Sequence, residues 1–325
     1  MSIVEASSEN IKKACQILRS GGLVAFPTET VYGLGADASN ASAVAKIFHA
    51  KNRPSSNPLI VHTYSLENIF KFADCGLEEI RKRVEKLSVF WPGPLTVILP
   101  RSSLLTPAVS VNTNTVALRI PNHPVALQLL QECDLPIAAP SANPSGYISP
   151  TTAQHVSSNL PGKVDMILDG GACNIGIEST VVNLLGQQIE ILRPGAVTAE
   201  QIEQILSEKI QVRPGLASAP ADYSPGNLSD HYSPRTPLIF SLNFNPSEYQ
   251  GKKIGFISFA GGNLLKCQDV VQINLDKSPE DTTNRLYAAL HELDSKGLDL
   301  IIIDQVDETG LGLAIMDRLK RAVRK

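Results

Sequence analysis

The stretch Phe26-Pro27-Thr28-Glu29-Thr30-Val31-Tyr32-Gly33-Leu34-Gly35-Ala36-Asp37 decides the fold reading, because a short apolar strand runs straight into a dense turn of hydroxyls and glycine. Val24, Ala25 and Phe26 read as the end of a buried strand, and Pro27, with no N–H to donate, stops ladder pairing there. Gly33 and Gly35 let backbone approach a ligand closely. Such a segment is either a binding turn or a run in which Thr28, Glu29 and Thr30 merely cap the next helix.

Outward from that strand the chain alternates helix and strand. Ser7 or Ser8 can cap a first helix with Ile11, Ala14, Cys15 and Leu18 on one stripe, ended by Gly21-Gly22. Ser39 or Asn40 starts a second through Val44, Ile47 and Phe48, and Pro54 closes it soon after Lys51. Helical patterns follow near 76–88, 124–133 and 151–158, with strands near 59–61, 95–99, 115–120, 166–168, 179–184 and 189–192. The last two strands flank Leu185-Gly186-Gln187-Gln188 and read as a hairpin. Residues 1–206 thus form a mixed α/β domain.

Between about 207 and 236 the patterning stops, and Pro214, Pro220, Pro225 and Pro234 punctuate small and polar residues, as in a linker. From 237 to 325, apolar runs at 253–259 and 298–304 alternate with helical patterns at 281–293 and 312–323, which predicts a small Rossmann-like sheet.

The chain has 325 residues, 43% of them hydrophobic, enough for two cores. Its net charge of −3 gives no global pull toward nucleic acid or anionic membrane, so any anion site must be local. The five cysteines Cys15, Cys75, Cys133, Cys173 and Cys267 show no close spacing, which argues against a disulfide framework or structural zinc and for reduced thiols in a cytoplasmic protein. No apolar run approaches the roughly 20 residues that span a bilayer.

Further motifs follow the opening stretch in a fixed order. They are Lys51-Asn52-Arg53-Pro54 with Asn57-Pro58-Leu59-Ile60-Val61-His62, Trp91-Pro92-Gly93-Pro94-Leu95-Thr96, and Ala117-Leu118-Arg119-Ile120-Pro121. Then come Ala139-Pro140-Ser141-Ala142-Asn143-Pro144-Ser145-Gly146, Glu178-Ser179-Thr180-Val181-Val182 and Leu192-Arg193-Pro194-Gly195. Within 115–120, period-two alternation puts Thr115, Ala117 and Arg119 on one face, and a guanidinium so placed needs an anion. That anion is a ligand carboxylate or one of the chain's own. Lys51, Arg53 and Asn57 form a cationic, donor-rich group at a helix exit stiffened by Pro54 and Pro58; it is a solvated helix end or a phosphate site.

As a set, over roughly residues 8–200, these motifs resemble the YrdC/Sua5 family of L-threonylcarbamoyladenylate synthases, and the length is similar to the two-domain Sua5 form. The resemblance implies a YrdC-like twisted mixed sheet with flanking helices and a concave cleft, followed by a small C-terminal Rossmann-like α/β domain. It implies synthesis of L-threonylcarbamoyladenylate from L-threonine, bicarbonate or CO2 and ATP, with Mg²⁺ on the ATP and pyrophosphate released. This is the first step of tRNA N6-threonylcarbamoyladenosine formation, and tRNA threonylcarbamoyl-transferase proteins are the downstream partners. The matching positions assign Lys51 and Arg53 to catalysis on the ATP phosphates, and Thr30, His62, Arg119, Ala139 and Ser179 to threonine. They assign Arg53, Asn57, Thr115, Ser141, Asn143, Ser149, Arg193 and Tyr232 to ATP. No protein side chain is expected to ligate metal.

The segment Tyr223-Ser224-Pro225-Gly226-Asn227-Leu228-Ser229-Asp230-His231-Tyr232-Ser233-Pro234 resembles the part of long Sua5-type chains that folds back over the active site. It departs from many relatives in carrying Leu228 and Asp230 where they have Lys and Arg, so it adds no positive charge. The alternative reading is a double-stranded RNA-binding or ribosome-maturation factor without synthase activity, and weak RNA binding is compatible with either; the net charge disfavours it as the main role. A carbamoyl-transfer module of hydrogenase-maturation type is excluded by the lack of paired zinc-finger cysteines.

Overall fold

The computed structural model describes residues 2–111, 113–186, 188–213, 232–259, 270–275 and 278–323. In chain order the first domain comprises β1 (Ser2–Glu5), α1 (Ser8–Arg19), β2 (Val24–Phe26), β3 (Gly33–Asp37), α2 (Ala41–Lys51), β4 (Ile60–His62), α3 (Leu66–Phe72), α4 (Glu78–Leu87), β5 (Leu95–Pro100), β6 (Thr115–Arg119) and α5 (Pro124–Cys133). It continues with β7 (Ile137–Ala138), α6 (Ala153–Asn159), β8 (Met166–Asp169), β9 (Thr180–Asn183), β10 (Ile189–Arg193), α7 (Ala199–Leu206) and β11 (Ile210–Val212). The second domain holds β12 (Leu238–Phe240), β13 (Ile254–Ser258), β14 (Val270–Asn274), α8 (Pro279–Asp294), β15 (Leu300–Ile303) and α9 (Leu311–Ala322).

Among the described residues the first sheet runs β1-β8-β2-β3-β7-β4-β6-β5-β9-β10-β11, with parallel and antiparallel neighbours mixed. The second runs β12-β15-β13-β14 and its described pairings are parallel, as a Rossmann-like sheet requires. The twisted mixed sheet and the second α/β domain agree with the sequence reading.

The predicted caps are specific. The Ser7 side chain accepts from Asn10 N–H at the start of α1, and Asn40 accepts from Ser42 and Ala43 at the start of α2. The α1 stripe of Ile11, Ala14, Cys15 and Leu18 packs with Ala126, Leu129, Leu130 and Cys133 of α5 against Val24, Phe26 and Ile137. The larger core covers the other face of the sheet, where α2, α3, α4, α6 and α7 bury Val44, Ile47, Ile69, Val84, Val156 and Ile202 over Leu34, Val61, Val97 and Leu118. A further core joins the domains, because Val31, Ile148 and Ile177 pack with Tyr232, Leu286, Tyr287, Leu290 and Ile315.

Four expectations are corrected. Gly33–Asp37 is a strand, paired antiparallel with β2 so that Phe26 faces Gly33, rather than a turn. A Cβ on Gly35 would lie 2.8 Å from the Phe26 ring, so that glycine serves packing within the protein and not the approach of a ligand. The first sheet continues past 206, since β11 pairs parallel with β10. Finally, Cys15 and Cys133 are joined as a disulfide, with their Cα atoms 5.1 Å apart and 118 residues between them in sequence. Helix packing of α1 on α5 brings the two sulfurs together, which spacing along the chain does not reveal.

Among the described residues no helix is long and apolar enough to cross a membrane.

Candidate functional site

One cavity is lined by Thr28, Thr30, Val31, Gly33, Arg53, Ile60, His62, Arg119, Ala139, Pro140, Ser141, Glu178, Arg193 and Tyr232. Its floor follows from strand register. β4 and β6 pair in parallel with Ile60 opposite Ala117 and His62 opposite Arg119, while Val61 and Leu118 turn into the larger core. Alternation therefore sets His62 and Arg119 side by side, as the pattern of 115–120 predicts for Arg119.

The turn between β2 and β3 presents Thr30. Thr28 Oγ1 donates to the Val31 carbonyl at 2.7 Å and accepts from the Thr30 and Val31 N–H groups at 3.2 Å each. This closed turn rules out the helix-cap alternative, since α2 starts later, at Asn40. Glu29, in the same turn, brings Oε1 within 2.7 Å of Arg119 Nη2, and both side chains are no more than 5% exposed. The pair is close but not aligned, so both Glu29 oxygens and Arg119 Nη2 have no hydrogen-bond partner. Arg119 Nε donates to Gly93 O at 3.2 Å. The chain's own carboxylate thus sits on the guanidinium, yet leaves it underused.

At the other end, α2 closes on Asn52 in the left-handed region, φ 49°, which turns the chain toward the cavity. Arg53 is held by its own loop, Nε donating to Asn57 O at 3.1 Å and Nη2 to Pro58 O at 2.8 Å. Asn57 contributes here through its backbone and lies outside the lining. Lys51 also lies outside it, with its buried amine donating to the carbonyls of Ser141 and Asn143. It braces the loop from behind, and the Asn143 side chain completes the brace by donating to Pro144 O and Tyr147 O.

Arg193 reaches the cavity through an irregularity. The β9–β10 register shifts between Ile191 and Arg193, so Leu192 packs with Ile60, Ala117 and Val181 on the cleft face and Arg193 lines the cavity beside it. Regular alternation would send Arg193 to the face of Ile191, and bulges commonly re-aim side chains at sites in this way. Arg193 Nε donates to Ser179 O and Nη2 to Ser179 Oγ, both at 3.0 Å, while Thr96 Oγ1 lies 2.7 Å from that hydroxyl. Ser179 therefore positions Arg193 from outside the lining. Thr115 stays at the start of β6, 2.9 Å from Thr113 Oγ1 and away from the cavity.

Glu178, which opens the motif Glu178-Ser179-Thr180-Val181-Val182, carries no role in the resemblance. Here it lines the cavity; Oε1 accepts from Ser149 Oγ at 2.6 Å, and Oε2 accepts from Tyr287 OH and Arg318 Nε at 3.0 Å each. Its only sequence signal is a carboxylate entering an apolar strand. Tyr232, which the resemblance assigns to ATP, lines the cavity, while 223–231 of the same motif lies outside the described residues.

Burial dominates the electrostatics. It lowers Arg53 to about 9, with Arg193 adding to the fall, so Arg53 remains cationic at neutral pH, and it lowers Arg193 as well. His62 drops to about 3, through burial first and Arg119 second, and is a neutral imidazole. The cavity gathers the Arg53, Arg119 and Arg193 guanidinium groups, and of its neighbouring carboxylates Glu178 is neutralised by Arg318. Such a site favours an anionic ligand. Among the described residues no group of three or more His, Cys, Asp or Glu is placed to hold a metal ion.

Residues 16–195 match the Sua5–YciO–YrdC family model, described as "Telomere recombination", and 197–323 match "Threonylcarbamoyl-AMP synthase, C-terminal domain". The threonylcarbamoyl-AMP synthase of Pyrococcus abyssi is 40% identical over 327 residues, covering 96% of this chain and 93% of that protein. Its namesake in Bacillus subtilis is 41% identical over 330 residues, covering 98% and 94%. The crystal structure of P. abyssi Sua5 complexed with L-threonine aligns at a TM-score of 0.87 and 38% identity over 99% of this chain and 97% of that one. With both family segments present in order and the likeness continuous from end to end, the chain belongs to the Sua5/YrdC family in its two-domain form.

Proposed function

We propose that the protein is a threonylcarbamoyl-AMP synthase, joining L-threonine, bicarbonate or CO2 and ATP into L-threonylcarbamoyladenylate and releasing pyrophosphate. The observation that carries this reading is the convergence of Arg53, Arg119 and Arg193 with a neutral His62 in one enclosed cavity. Relatives similar over nearly the whole chain bear that name, and one is solved with L-threonine.

The chemistry explains the cations. Threonine's amine and CO2 form a carbamate, whose oxygen attacks the α-phosphorus as the bond to pyrophosphate breaks. Two anions must meet. Arg119 takes the threonine carboxylate, for which a planar guanidinium offers two parallel hydrogen bonds, and the unaligned Glu29 yields its place. Thr30 and Ala139 shape that end, and neutral His62 adds no charge to repel the ammonium form. Arg53 and Arg193 face the phosphates and stabilise charge developing there, with fixed positions that need no reorganisation. Ser141 lines the nucleotide side on a loop that Lys51 and Asn143 hold in place. Mg²⁺ would fit as a triphosphate-bound ion, since the one carboxylate among the lining residues, Glu178, is already paired with Arg318, and there it would supply neutralisation of the leaving pyrophosphate.

The same burial favours the synthase over the RNA-binding reading. Arg53, Arg119 and Arg193 are between 3% and 8% exposed, where a small molecule can reach them and the phosphates of a duplex cannot. The product is an activated carbamoyl group, so a tRNA threonylcarbamoyl-transferase in the cytoplasm is its consumer in this reading. Mixing the protein with ATP, Mg²⁺, threonine and bicarbonate and detecting threonylcarbamoyl-AMP by mass tests the proposal. Absence of that mass, with ATP intact, refutes it.

A further inference from the structure

Arg318 and Tyr287 of the C-terminal domain reach the cavity wall. Arg318 of α9 is 1% exposed, and its Nε reaches Glu178 Oε2 at 3.0 Å while Nη1 reaches Asp317 Oδ2 at 2.7 Å. The same guanidinium lies 5.4 Å from the centroid of the Tyr232 ring. Tyr287 of α8 stacks on that ring, centroids 5.9 Å apart and planes inclined by 19°, and its hydroxyl donates to Glu178. Glu178 and Tyr232 are both cavity-lining.

Tyr232 needs such support. Its φ of 67° is a left-handed backbone that bulky residues adopt only when surroundings impose it. Ser233 fixes the next residue, its N–H donating to Gly146 O at 2.9 Å and its hydroxyl to Ala322 O at 3.1 Å. The ring itself is held by Arg318 and Tyr287.

We propose that Arg318 is a positioning residue through which the C-terminal domain completes the end of the cavity that holds Arg53 and Arg193. This deepens the synthase reading and rests on it. Arg318 acts in two ways. It neutralises Glu178, whose buried negative charge otherwise offsets the positive field of Arg53 and Arg193 that attracts the triphosphate. It also fixes the Tyr232 ring against which the nucleotide end of the cavity is built. The Arg119–His62 end, where threonine sits, is built from β4, β6 and Glu29 without it.

The test compares full-length wild type with Arg318→Met, Arg318→Lys, Tyr287→Phe and Tyr287→Ala, measuring ATP and threonine affinities by calorimetry, both KM values, and melting temperature. Arg318→Met is expected to weaken ATP binding about ten-fold or more while threonine affinity stays within about two-fold. Arg318→Lys, which keeps the charge and loses the planar ring contact, falls between. Tyr287→Phe keeps the stacked ring but takes one hydrogen bond from Glu178, and so falls between wild type and Tyr287→Ala, which behaves like Arg318→Met. If Arg318→Met fails to fold, Arg318→Lys and Tyr287→Ala carry the same comparison. ATP affinity unchanged in these variants overturns the proposal, and so does an equal loss of ATP and threonine binding in step with melting temperature. Product formation by the wild type is a separate readout: wild-type protein that binds ATP and makes no threonylcarbamoyl-AMP sinks the synthase reading, while the ratio of ATP affinities still decides the role of Arg318.

Discussion

Replacing Arg119 with methionine removes the group assigned to the threonine carboxylate while keeping most of the side-chain volume. Two costs follow, and they separate. Glu29 is left buried with no cation at 2.7 Å, and deleting one partner of a buried pair costs about 3–5 kcal/mol of stability. The substrate loses a charge-assisted, paired contact of similar worth, so kcat/KM for threonine should fall roughly 10²- to 5 × 10³-fold at 1.36 kcal/mol per decade. The double variant Glu29→Gln with Arg119→Met distinguishes the two, since neutralising position 29 restores much of the melting temperature and none of the activity. The assay is initial rate of threonylcarbamoyl-AMP formation against threonine concentration, at saturating ATP, beside a thermal melt of each variant. A double variant that folds like wild type and keeps a threonine KM within about three-fold of it would mean that Arg119 serves only the ion pair with Glu29, and the assignment fails.

Acid should weaken the fold through His62 and His291, which burial lowers to about 3 from 6.5. Between those values the unfolded chain binds protons that the folded one refuses, so stability is full above about pH 6.5 and is lost as pH falls toward 3. Urea midpoints at stepped pH should flatten over that window in His291→Gln, and an unaltered acid limb counts against the assignment. Lys51→Met takes the buried amine donor from the Ser141 and Asn143 carbonyls, at about 0.5–1.5 kcal/mol for each hydrogen bond, and should lower the melting temperature and the ATP affinity together. A chain ending at 213, which retains β11, should still fold but expose Val31, Ile148 and Ile177 and lose at least about ten-fold in turnover; full activity in it contradicts the part given to Tyr232 and the C-terminal domain.

The face of Arg119 was legible because period two is strict in a strand whose other face, Val116, Leu118 and Ile120, is uniformly apolar. The caps at Ser7 and Asn40 were legible for the same local reason. β3 was not, since Gly33-Leu34-Gly35-Ala36-Asp37 lacks the β-branched residues that mark strands, and it forms because close packing on Phe26 demands glycine. The short helices α3 and α7 and the edge strand β1 also escaped, each too brief to show a period. Within the site, the motifs located Thr30, Arg53, His62, Ala139, Ser141, Arg193 and Tyr232 on the lining. The bracing roles of Lys51, Asn143 and Ser179 depend on which way a side chain turns, and that of Asn57 on its backbone carbonyl, and residue type alone does not say. Arg318 and Tyr287 carried no signal, because on an amphipathic helix they look like ordinary stripe residues.

The polar knot at Glu178 makes two folding units shareholders in one carboxylate. Whatever shifts the balance on one side must register on the other by the same free energy, as thermodynamic reciprocity requires. On the proposed dependence of ATP binding on Arg318, a bound nucleotide should tighten the grip of α9 on Glu178, and slower amide exchange in that helix would be a gauge of cavity occupancy.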